Sequence, residues 1–205
     1  MKTSSYPGRF IAFDGLDGSG QSTQVALLRD FLSGKGIEVI TTKEPTSDSS
    51  VAGRIRIVLD GEEALDSLEL QRLFAKDREE HLISIVIPAL EKGIWVITDR
   101  YALTSFAFSE AGGLNLKEVV GWHEDVLSPD ITFFLRVSPV VAVRRLEARG
   151  RKRTLFEVQG RMEKNAEGFL RVAEEFANIV AIDGEQSIEK VAEDIRVSVA
   201  ERFSI

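Results

Sequence analysis

The stretch DGLDGSGQST, residues 14–23, decides the fold class of this chain. It lies between a short apolar segment, 10–13, and an amphipathic segment that predicts a helix. A strand, a glycine-rich turn and a helix are the context of a phosphate-binding loop of the form G-x-x-x-x-G-K-[ST]. The glycines let backbone amides turn toward phosphate oxygens, and the N-terminus of the helix favours an anion. The stretch therefore predicts an α/β protein that binds nucleotide phosphates.

One residue departs from the motif, because Gln21 stands where the pattern has lysine. Its amide can donate a hydrogen bond but brings no charge, and a charge-assisted hydrogen bond is roughly twice as strong as a neutral one. Without compensation, the loss is expected to cost on the order of a few kcal/mol of transition-state stabilisation. The loop belongs either to a kinase with other cations near the phosphates, which we favour, or to a catalytically silent nucleotide-binding module. The glycine spacing does not fit the dinucleotide fingerprint G-x-G-x-x-G.

The composition narrows the class of protein further. The chain has 205 residues, a formal net charge of −7 and no cysteine. The negative charge argues against a general surface for nucleic-acid polymers, and the lack of cysteine excludes disulfides and cysteine nucleophiles. No run approaches the roughly 20 apolar residues of a membrane span, and the first residues do not resemble a signal peptide. We expect a soluble, cytoplasmic protein with no membrane partner.

Apolar runs alternate with longer segments of helical period, which predicts a doubly wound parallel sheet with helices on both faces. The predicted strands are 10–13, 38–41, 95–98, 131–135 and 179–182. The predicted helices are 20–33, 51–59, 68–91, 116–127, 140–147, 161–177 and 188–203. No linker or repeat interrupts the chain, so a single domain, residues 1–205, is expected. Ligands of such folds bind beyond the carboxyl ends of the strands.

Two further segments carry candidate site residues. The apolar run IWVITDR ends in Asp99 and Arg100, so Asp99 could hold magnesium together with Ser22 of the loop, and Arg100 could clamp a phosphate. The other interpretation of this pair is a salt-bridged strand end. The segment RGRKRTLFE, 149–157, places four cations within five residues and could replace the charge that Gln21 lacks. Alternatively, it is a solvated helix end.

The chain resembles the thymidylate kinase family of P-loop nucleoside monophosphate kinases. The resemblance runs through FIAFDGLDGSGQSTQ, TKEP, LFAKDREEH, PALEKGIWVITDRYALTSFAFS and SPDITFFLRVSP to the arginine-rich segment. It implies a five-stranded sheet with a short lid at about 149–157, and phosphoryl transfer from ATP to thymidine 5′-monophosphate (dTMP) with Mg²⁺. It also implies a homodimer.

The resemblance assigns the acceptor site residue by residue. It implies that Phe74 stacks on the thymine ring and Arg78 bonds a carbonyl of the base; their i, i+4 spacing places both on one helix face. Without the resemblance, Phe74 would be interpreted as a core residue. Phe108 would lie against the 2′ carbon of the sugar, which predicts a preference for deoxyribose. The implied dTMP contacts are Asp17, Phe74, Arg78, Arg100, Tyr101, Thr104, Ser105 and Phe108.

The donor side and the catalytic groups are implied in the same way. The implied ATP contacts are Gly15, Gly18, Ser19, Gly20, Gln21, Ser22, Thr23 and Arg145. The implied catalytic residues are Arg149, Arg153, Arg100, Lys43 and Asp17. Because the phosphate loop has no arginine, the resemblance implies the branch of the family whose catalytic arginine is in the lid. Lys43 stands for the arginine of an Arg-Glu-Pro loop, whose following glycines are replaced here by Thr46 and Ser47.

Other activities of the same fold stay open. A monophosphate oxygen is already nucleophilic, so a monophosphate kinase needs no general base. A nucleoside kinase would need a carboxylate near the sugar, and Asp17 is the loop candidate. A kinase acting on another nucleotide is a further alternative. His81, on the long predicted helix, is expected to be exposed or to cap the helix rather than to bind a ligand.

Overall fold

The apolar runs of the sequence form the strands of a parallel sheet in the computed structural model, which describes residues 1–150 and 159–205. The strands are β1 (Phe10–Gly15), β2 (Val39–Lys43), β3 (Trp95–Asp99), β4 (Ile131–Arg136) and β5 (Ile179–Asp183). They lie in the order β2-β3-β1-β4-β5, and all four neighbouring pairs are parallel. The predicted α/β fold with a doubly wound five-stranded sheet is therefore confirmed.

Helices cover both faces of this sheet. Their bounds are α1 (Gln21–Gly34), α2 (Ala52–Leu59), α3 (Ser67–His81), α4 (Ile87–Glu91), α5 (Ala102–Ala111), α6 (Leu116–Gly121), α7 (Pro139–Ala148), α8 (Gln159–Ala173) and α9 (Ile188–Phe203). Alternate strand residues point to opposite faces. Phe13 packs in a cluster with side chains of α1 and α9, whereas Phe10 packs in a second cluster with side chains of α3, α5 and α8.

The register of the sheet fixes where the functional loops meet. Phe13 of β1 lies opposite Asp99 of β3, and Lys43 of β2 lies opposite the same aspartate. The carboxyl ends of three adjacent strands therefore come together at one edge. The glycine-rich loop after β1 and Arg100 after β3 lie side by side there.

The five predicted strands are confirmed, each within two residues at either end, but several helix predictions were wrong in extent. The predicted helix 68–91 is divided into α3, a π-helical segment at Leu82–Val86, and α4. The wide π turn directly precedes Pro88, whose ring and missing amide disfavour a regular α turn. The helix predicted at 116–127 ends at Gly121, and that predicted at 161–177 ends at Ala173.

Helix α5 was not predicted. Seven of its ten residues are buried, so it has no polar face to reveal a helical period. The predicted lid falls largely on residues 151–158, which lie outside the described residues. The single domain with a lid at 149–157 therefore stays a prediction.

Candidate active site

The glycine-rich loop joins β1 to α1 in a backbone conformation that side chains would disturb. Gly18 has φ of 89°, and a Cβ placed there would lie 2.7 Å from the carbonyl oxygen of Ala142 in α7. Helix α1 begins at Gln21, after the left-handed Gly20, and no described side chain caps its first amides. Uncapped amides at a helix N-terminus form a site for an anion, so this loop can hold phosphate groups.

Gln21 lies inside the loop and is buried. Its Nε2 lies 3.5 Å from the carbonyl oxygen of Gly15, at the outer limit of a hydrogen bond. The amide thus lies against the backbone of the phosphate loop. It can donate a hydrogen bond to a phosphate oxygen but adds no positive charge.

Ser22, Asp99 and Lys43 meet beside the loop. The hydroxyl of Ser22 donates to Oδ2 of Asp99 at 2.5 Å, and Nζ of Lys43 lies 3.4 Å from the same oxygen. A hydroxyl and a carboxylate are hard oxygen donors that suit Mg²⁺. Among residues 1–150 and 159–205 no group of three or more histidine, cysteine or carboxylate side chains could hold a metal. Magnesium at this pair would therefore need phosphate oxygens and waters to complete its coordination.

Arg100 lies beside the loop and has an uncommon backbone conformation. It has φ of 79°, a region that non-glycine residues rarely occupy and that is often found at functional sites. Its guanidinium donates to Oδ1 of Asp17 at 2.8 Å, to the carbonyl oxygen of Gly15 at 2.9 Å and to Oγ1 of Thr104 at 3.1 Å. Burial alone would lower the pKa of Arg100, but Asp17, Asp99 and Asp14 outweigh it, so the guanidinium stays charged. The salt-bridge partner of Arg100 is thus Asp17, not its neighbour Asp99.

A buried aspartate that the sequence did not single out holds α5 against β1. Oδ1 of Asp14 accepts hydrogen bonds from the amides of Tyr101 and Thr104 at 3.1 Å each, and from the hydroxyl of Thr104 at 2.5 Å. Burial raises the pKa of Asp14, and the donors from Thr104 and Tyr101 oppose that rise. This contact fixes the first turn of α5 relative to the phosphate loop.

A cavity of about 680 Å³ opens beside this end of the sheet. Asp17, Lys43 and Arg100 line it, so charged groups lie along part of its wall. All eight residues that the resemblance implied as dTMP contacts line this cavity: Asp17, Phe74, Arg78, Arg100, Tyr101, Thr104, Ser105 and Phe108. The structure therefore brings these side chains together, and their individual roles stay predictions.

Two of these residues also serve the protein interior. The hydroxyl of Tyr101 donates to the carbonyl oxygen of Leu127 at 2.7 Å, so it is engaged in the core rather than in the cavity. Phe74 is half-buried, and it packs against the core cluster while lining the cavity. The core interpretation of Phe74 is therefore supported by its packing, and its stacking on the thymine ring stays a prediction.

Arg78 lies in a buried polar network at the cavity wall. Its Nε and NH2 donate to Oε2 of Glu44 at 2.8 and 2.6 Å, and both side chains are almost fully buried. The other carboxylate oxygen of Glu44 lies 3.0 Å from Nδ1 of His81, whose Nε2 lies 2.5 Å from the hydroxyl of Thr42. The expectation of an exposed or capping His81 was wrong, because this ring is 1% exposed and links β2 to Glu44.

Asp77 fixes the loop that follows Lys43-Glu44-Pro45. Its buried carboxylate accepts from the amide of Thr46 at 3.0 Å, from the hydroxyl of Thr46 at 2.6 Å and from the hydroxyl of Ser49 at 2.5 Å. Of these donors, Thr46 occupies the position of an expected glycine, and Ser49 lies three residues further along the chain. The loop is therefore held by side-chain hydrogen bonds to α3.

A smaller polar cavity of about 140 Å³ lies against the phosphate loop. It is lined by Asp17, Gly18, Gly20, Gln21, Ser22, Lys43, Asp99, Arg100 and Arg149. Arg149 is the C-cap residue of α7, and it lines this cavity together with residues at the start of α1. Arg151 and Arg153 lie outside the described residues, and the predicted role of Arg153 stays a prediction.

The remaining implied ATP contacts, which do not line this cavity, are Gly15, Ser19, Thr23 and Arg145. NH2 of Arg145 donates to the carbonyl oxygen of Gly184 at 2.9 Å, and NH1 lies 3.4 Å from the carbonyl oxygen of Ser19. Arg145 thus joins the phosphate loop to the loop after β5. Gly15 forms the end of β1, Ser19 is buried in the loop, and Thr23 is exposed on the first turn of α1.

This parallel sheet, with a phosphate loop after β1 and a second cavity alongside it, defines a P-loop protein of the nucleotide kinase class. The model of the thymidylate kinase family matches residues 13–195. The thymidylate kinase of Nitrosomonas eutropha is 35% identical over 203 residues, covering 96% of this chain and 94% of the relative. That of Caldicellulosiruptor saccharolyticus is 36% identical over 195 residues, with coverage of 92% and 94%. A probable thymidylate kinase of Pyrococcus horikoshii is 35% identical over 193 residues, also with coverage of 92% and 94%. The chain belongs to the thymidylate kinase family.

In the part of the chain that the structure describes, no helix is long and apolar enough to cross a membrane.

Proposed function

We propose that this protein transfers the terminal phosphoryl group of ATP to dTMP and so forms thymidine 5′-diphosphate. The observation that carries the proposal is that the two cavities share three residues, Asp17, Lys43 and Arg100. A nucleotide on the phosphate loop and a monophosphate in the larger cavity would therefore meet at these side chains. Two anions brought this close repel each other, and cations at the junction reduce that repulsion.

The acceptor phosphate would bind Arg100 and Lys43. The guanidinium of Arg100 is held by Asp17, Gly15 and Thr104, so it is positioned before any ligand arrives. Pre-positioned charge stabilises a transition state without reorganisation at the moment of reaction. Lys43, whose side chain is more than half exposed, supplies a second and less restrained cation.

The donor phosphates would lie on the amides of the phosphate loop, with Ser22 and Asp99 as the residues that hold magnesium. When bound, Mg²⁺ would neutralise part of the negative charge that develops on the phosphates. Ser22 and Asp99 already lie within hydrogen-bond distance of each other, so their oxygens are aligned on one side of the loop. We propose ATP as the donor, with Arg145 beside its base.

The charge that Gln21 lacks would come from arginines at the end of α7 and beyond. Arg149 lines the small cavity with Gln21, which supports its assignment as a catalytic cation. Arg153 is proposed for the same role on the resemblance alone. An arginine that reaches the transferring phosphoryl group can contribute roughly 10³–10⁵ in rate in other phosphoryl-transfer enzymes. Lid residues over the site would also exclude water and suppress hydrolysis of ATP.

Discrimination of the sugar would come from Phe108. It lines the large cavity together with Thr104 and Ser105 of the same helix. A ring against the 2′ carbon would exclude a hydroxyl group there by bulk and by loss of its hydration. We therefore expect dTMP to be preferred over its ribose counterpart.

A homodimer and a cytoplasmic location are also part of the proposal. Ile83 in the π-helical segment is 66% exposed, beside a groove that Leu82, Ile87 and Trp122 also line. An apolar surface of this kind is suited to contact with a second copy. Sedimentation at micromolar concentration would show a species of twice the 22.7 kDa chain mass, and a single-chain mass would contradict the dimer.

The proposed activity is tested by incubating the pure protein with ATP, magnesium and one acceptor at a time. The acceptors are dTMP, the monophosphates of deoxyuridine, deoxycytidine and deoxyguanosine, and thymidine itself. We expect ADP release to be fastest with dTMP. Faster turnover of thymidine would instead indicate a nucleoside kinase, and ATP binding without ADP release from any acceptor would indicate a silent nucleotide-binding module.

A further inference from the structure

The guanidinium of Arg78 has few donors left for a ligand. Nε and NH2 donate to Glu44, NH2 also lies 3.1 Å from Oγ of Ser105, and NH1 lies 2.8 Å from Nε2 of His123. A guanidinium has five N–H groups, and these contacts use four of them. The fifth belongs to NH1, and no contact with another described side chain accounts for it. Because Arg78 lines the large cavity, this N–H is the donor that it can offer to a ligand.

The contacts of His123 define the state of its ring. An arginine can only donate, so Nε2 of His123 must accept the hydrogen bond and carries no proton. Nδ1 lies 2.8 Å from the carbonyl oxygen of Val119, which can only accept, so Nδ1 carries the proton. Both contacts are therefore satisfied by the neutral Nδ1–H tautomer alone. Burial and the charge of Arg78 lower the pKa of His123 to about 4, which agrees with a neutral ring at pH 7.

The ring of His123 is also held by packing. It is fully buried, and the ring of Phe106 in α5 meets it edge to face at a centroid distance of 5.1 Å. The centre of the Tyr101 ring lies 4.9 Å from Cζ of Arg78. The direction of NH1 is thus set by a histidine whose own orientation is fixed.

We propose that His123 is a positioning residue for recognition of the acceptor base, an inference that rests on the proposed function. By accepting from NH1 of Arg78, it directs the remaining N–H of that nitrogen toward the cavity, where a ring carbonyl oxygen can accept it. Cytosine carries an amino group at the same ring position, so its N–H donors would face the remaining N–H donor of Arg78. Such mismatched polar groups are rejected strongly in buried sites.

The test compares the wild type with His123→Leu, which removes the acceptor, and His123→Gln, which offers an amide oxygen in its place. Phe106→Leu is the matched control, because it removes the ring that packs on His123 but keeps the imidazole and its hydrogen bonds to Val119 and Arg78, which set the direction of NH1. For each protein, kcat/KM and the calorimetric Kd are measured with dTMP and with deoxycytidine monophosphate. The ratio of the kcat/KM values, or of the Kd values, for the two nucleotides separates recognition of the base from a general loss of stability.

We expect His123→Leu to reduce the preference for dTMP by about tenfold or more, because a hydrogen bond to a charged group contributes roughly 1.5–3 kcal/mol. The change should lie in KM and Kd rather than in kcat. His123→Gln should keep the preference within about threefold of the wild type, and Phe106→Leu should leave it unchanged. A preference unaltered in His123→Leu, or lowered equally by Phe106→Leu, would overturn the proposal.

Two further results keep this test independent of folding and of the proposed activity. If His123→Leu does not fold, nitrogen-15 NMR of the wild type decides: the Nδ1–H tautomer at pH 7 supports the proposal, and a protonated or Nε2–H ring overturns it. If the wild type binds dTMP without turnover, the kinase activity fails and the Kd ratios still test His123. If it binds neither nucleotide, both proposals fail.

Discussion

Lowering the pH should destabilise this protein through His123. The folded ring has a pKa of about 4, against a value of about 6.5 for a histidine in the unfolded chain. Between these values the unfolded chain binds a proton that the folded protein excludes, so the free energy of unfolding falls as the pH falls. The two pKa values differ by roughly 2.5, and a difference of one corresponds to 1.36 kcal/mol, so the free energy of unfolding changes by about 3 kcal/mol. This contribution is fully present above pH 6.5 and is lost as the pH falls toward 4.

The assay is urea denaturation of the wild type and of His123→Gln at half-unit intervals from pH 7.5 to pH 4. Other groups, including the buried Asp14, titrate equally in both proteins, so the difference between the two curves isolates His123. We expect the wild type to lose about 3 kcal/mol relative to the variant over this range. Parallel curves would refute the assignment of a neutral ring that accepts from Arg78.

Four further substitutions test other parts of the site. Gln21→Lys should leave the rate of ADP release within about tenfold of the wild type or raise it, whereas Arg149→Ala should lower kcat by about a hundredfold. Glu44→Ala leaves the charge of Arg78 buried without its carboxylate, so urea denaturation should show a loss of about 3–5 kcal/mol. Phe108→Ala should raise kcat/KM for the ribose analogue of dTMP relative to dTMP itself, because the space beside the 2′ carbon opens.

The predictions for Arg149, Glu44 and Phe108 each have a result that would contradict them. If Arg149→Ala keeps the wild-type kcat, Arg149 does not supply the positive charge that Gln21 lacks. A Glu44→Ala protein as stable as the wild type would show that Arg78 finds other partners. An unchanged preference for deoxyribose in Phe108→Ala would place the sugar away from that ring.

The sequence predicted those parts of the fold that depend on local patterns. Five apolar runs became strands because buried parallel strands need continuous apolar residues. The glycine-rich turn was recognisable from its residue types. Glycine is needed at position 18 because a Cβ at Gly18 would meet the backbone of α7. The parallel sheet then placed the residues after β1, β2 and β3 at one edge. The prediction that Asp99 acts together with Ser22 of the loop followed from this property of parallel sheets alone.

The buried network could not be predicted in the same way. Helix α5 is buried on most sides, so its hydrophobic pattern did not indicate a helix. Glu44, His81 and His123 come from separate segments, and their pairing depends on distances that appear only after folding. A histidine on a long helix is exposed more often than buried, which is why His81 was misjudged. Only one feature pointed to such a network: an arginine inside a protein core, such as Arg78, must be satisfied by buried partners.

The loop after Glu44 illustrates a third case. The replacement of the expected glycines did not indicate how the loop is held; Thr46 and Ser49 bind Asp77 through their hydroxyl groups and the Thr46 amide. Serine and threonine often form such local bonds, but their common acceptor lies 28 to 31 residues away. The sequence therefore indicated the residue types of this loop but not the partner that holds it.

Phosphoryl transfer without the loop lysine can be followed by phosphorus-31 NMR of the wild type with ATP, magnesium and dTMP. We expect the resonances of thymidine diphosphate and ADP to grow in equal amounts as those of ATP and dTMP decline. An unchanged spectrum, at concentrations where calorimetry shows both nucleotides bound, would contradict it.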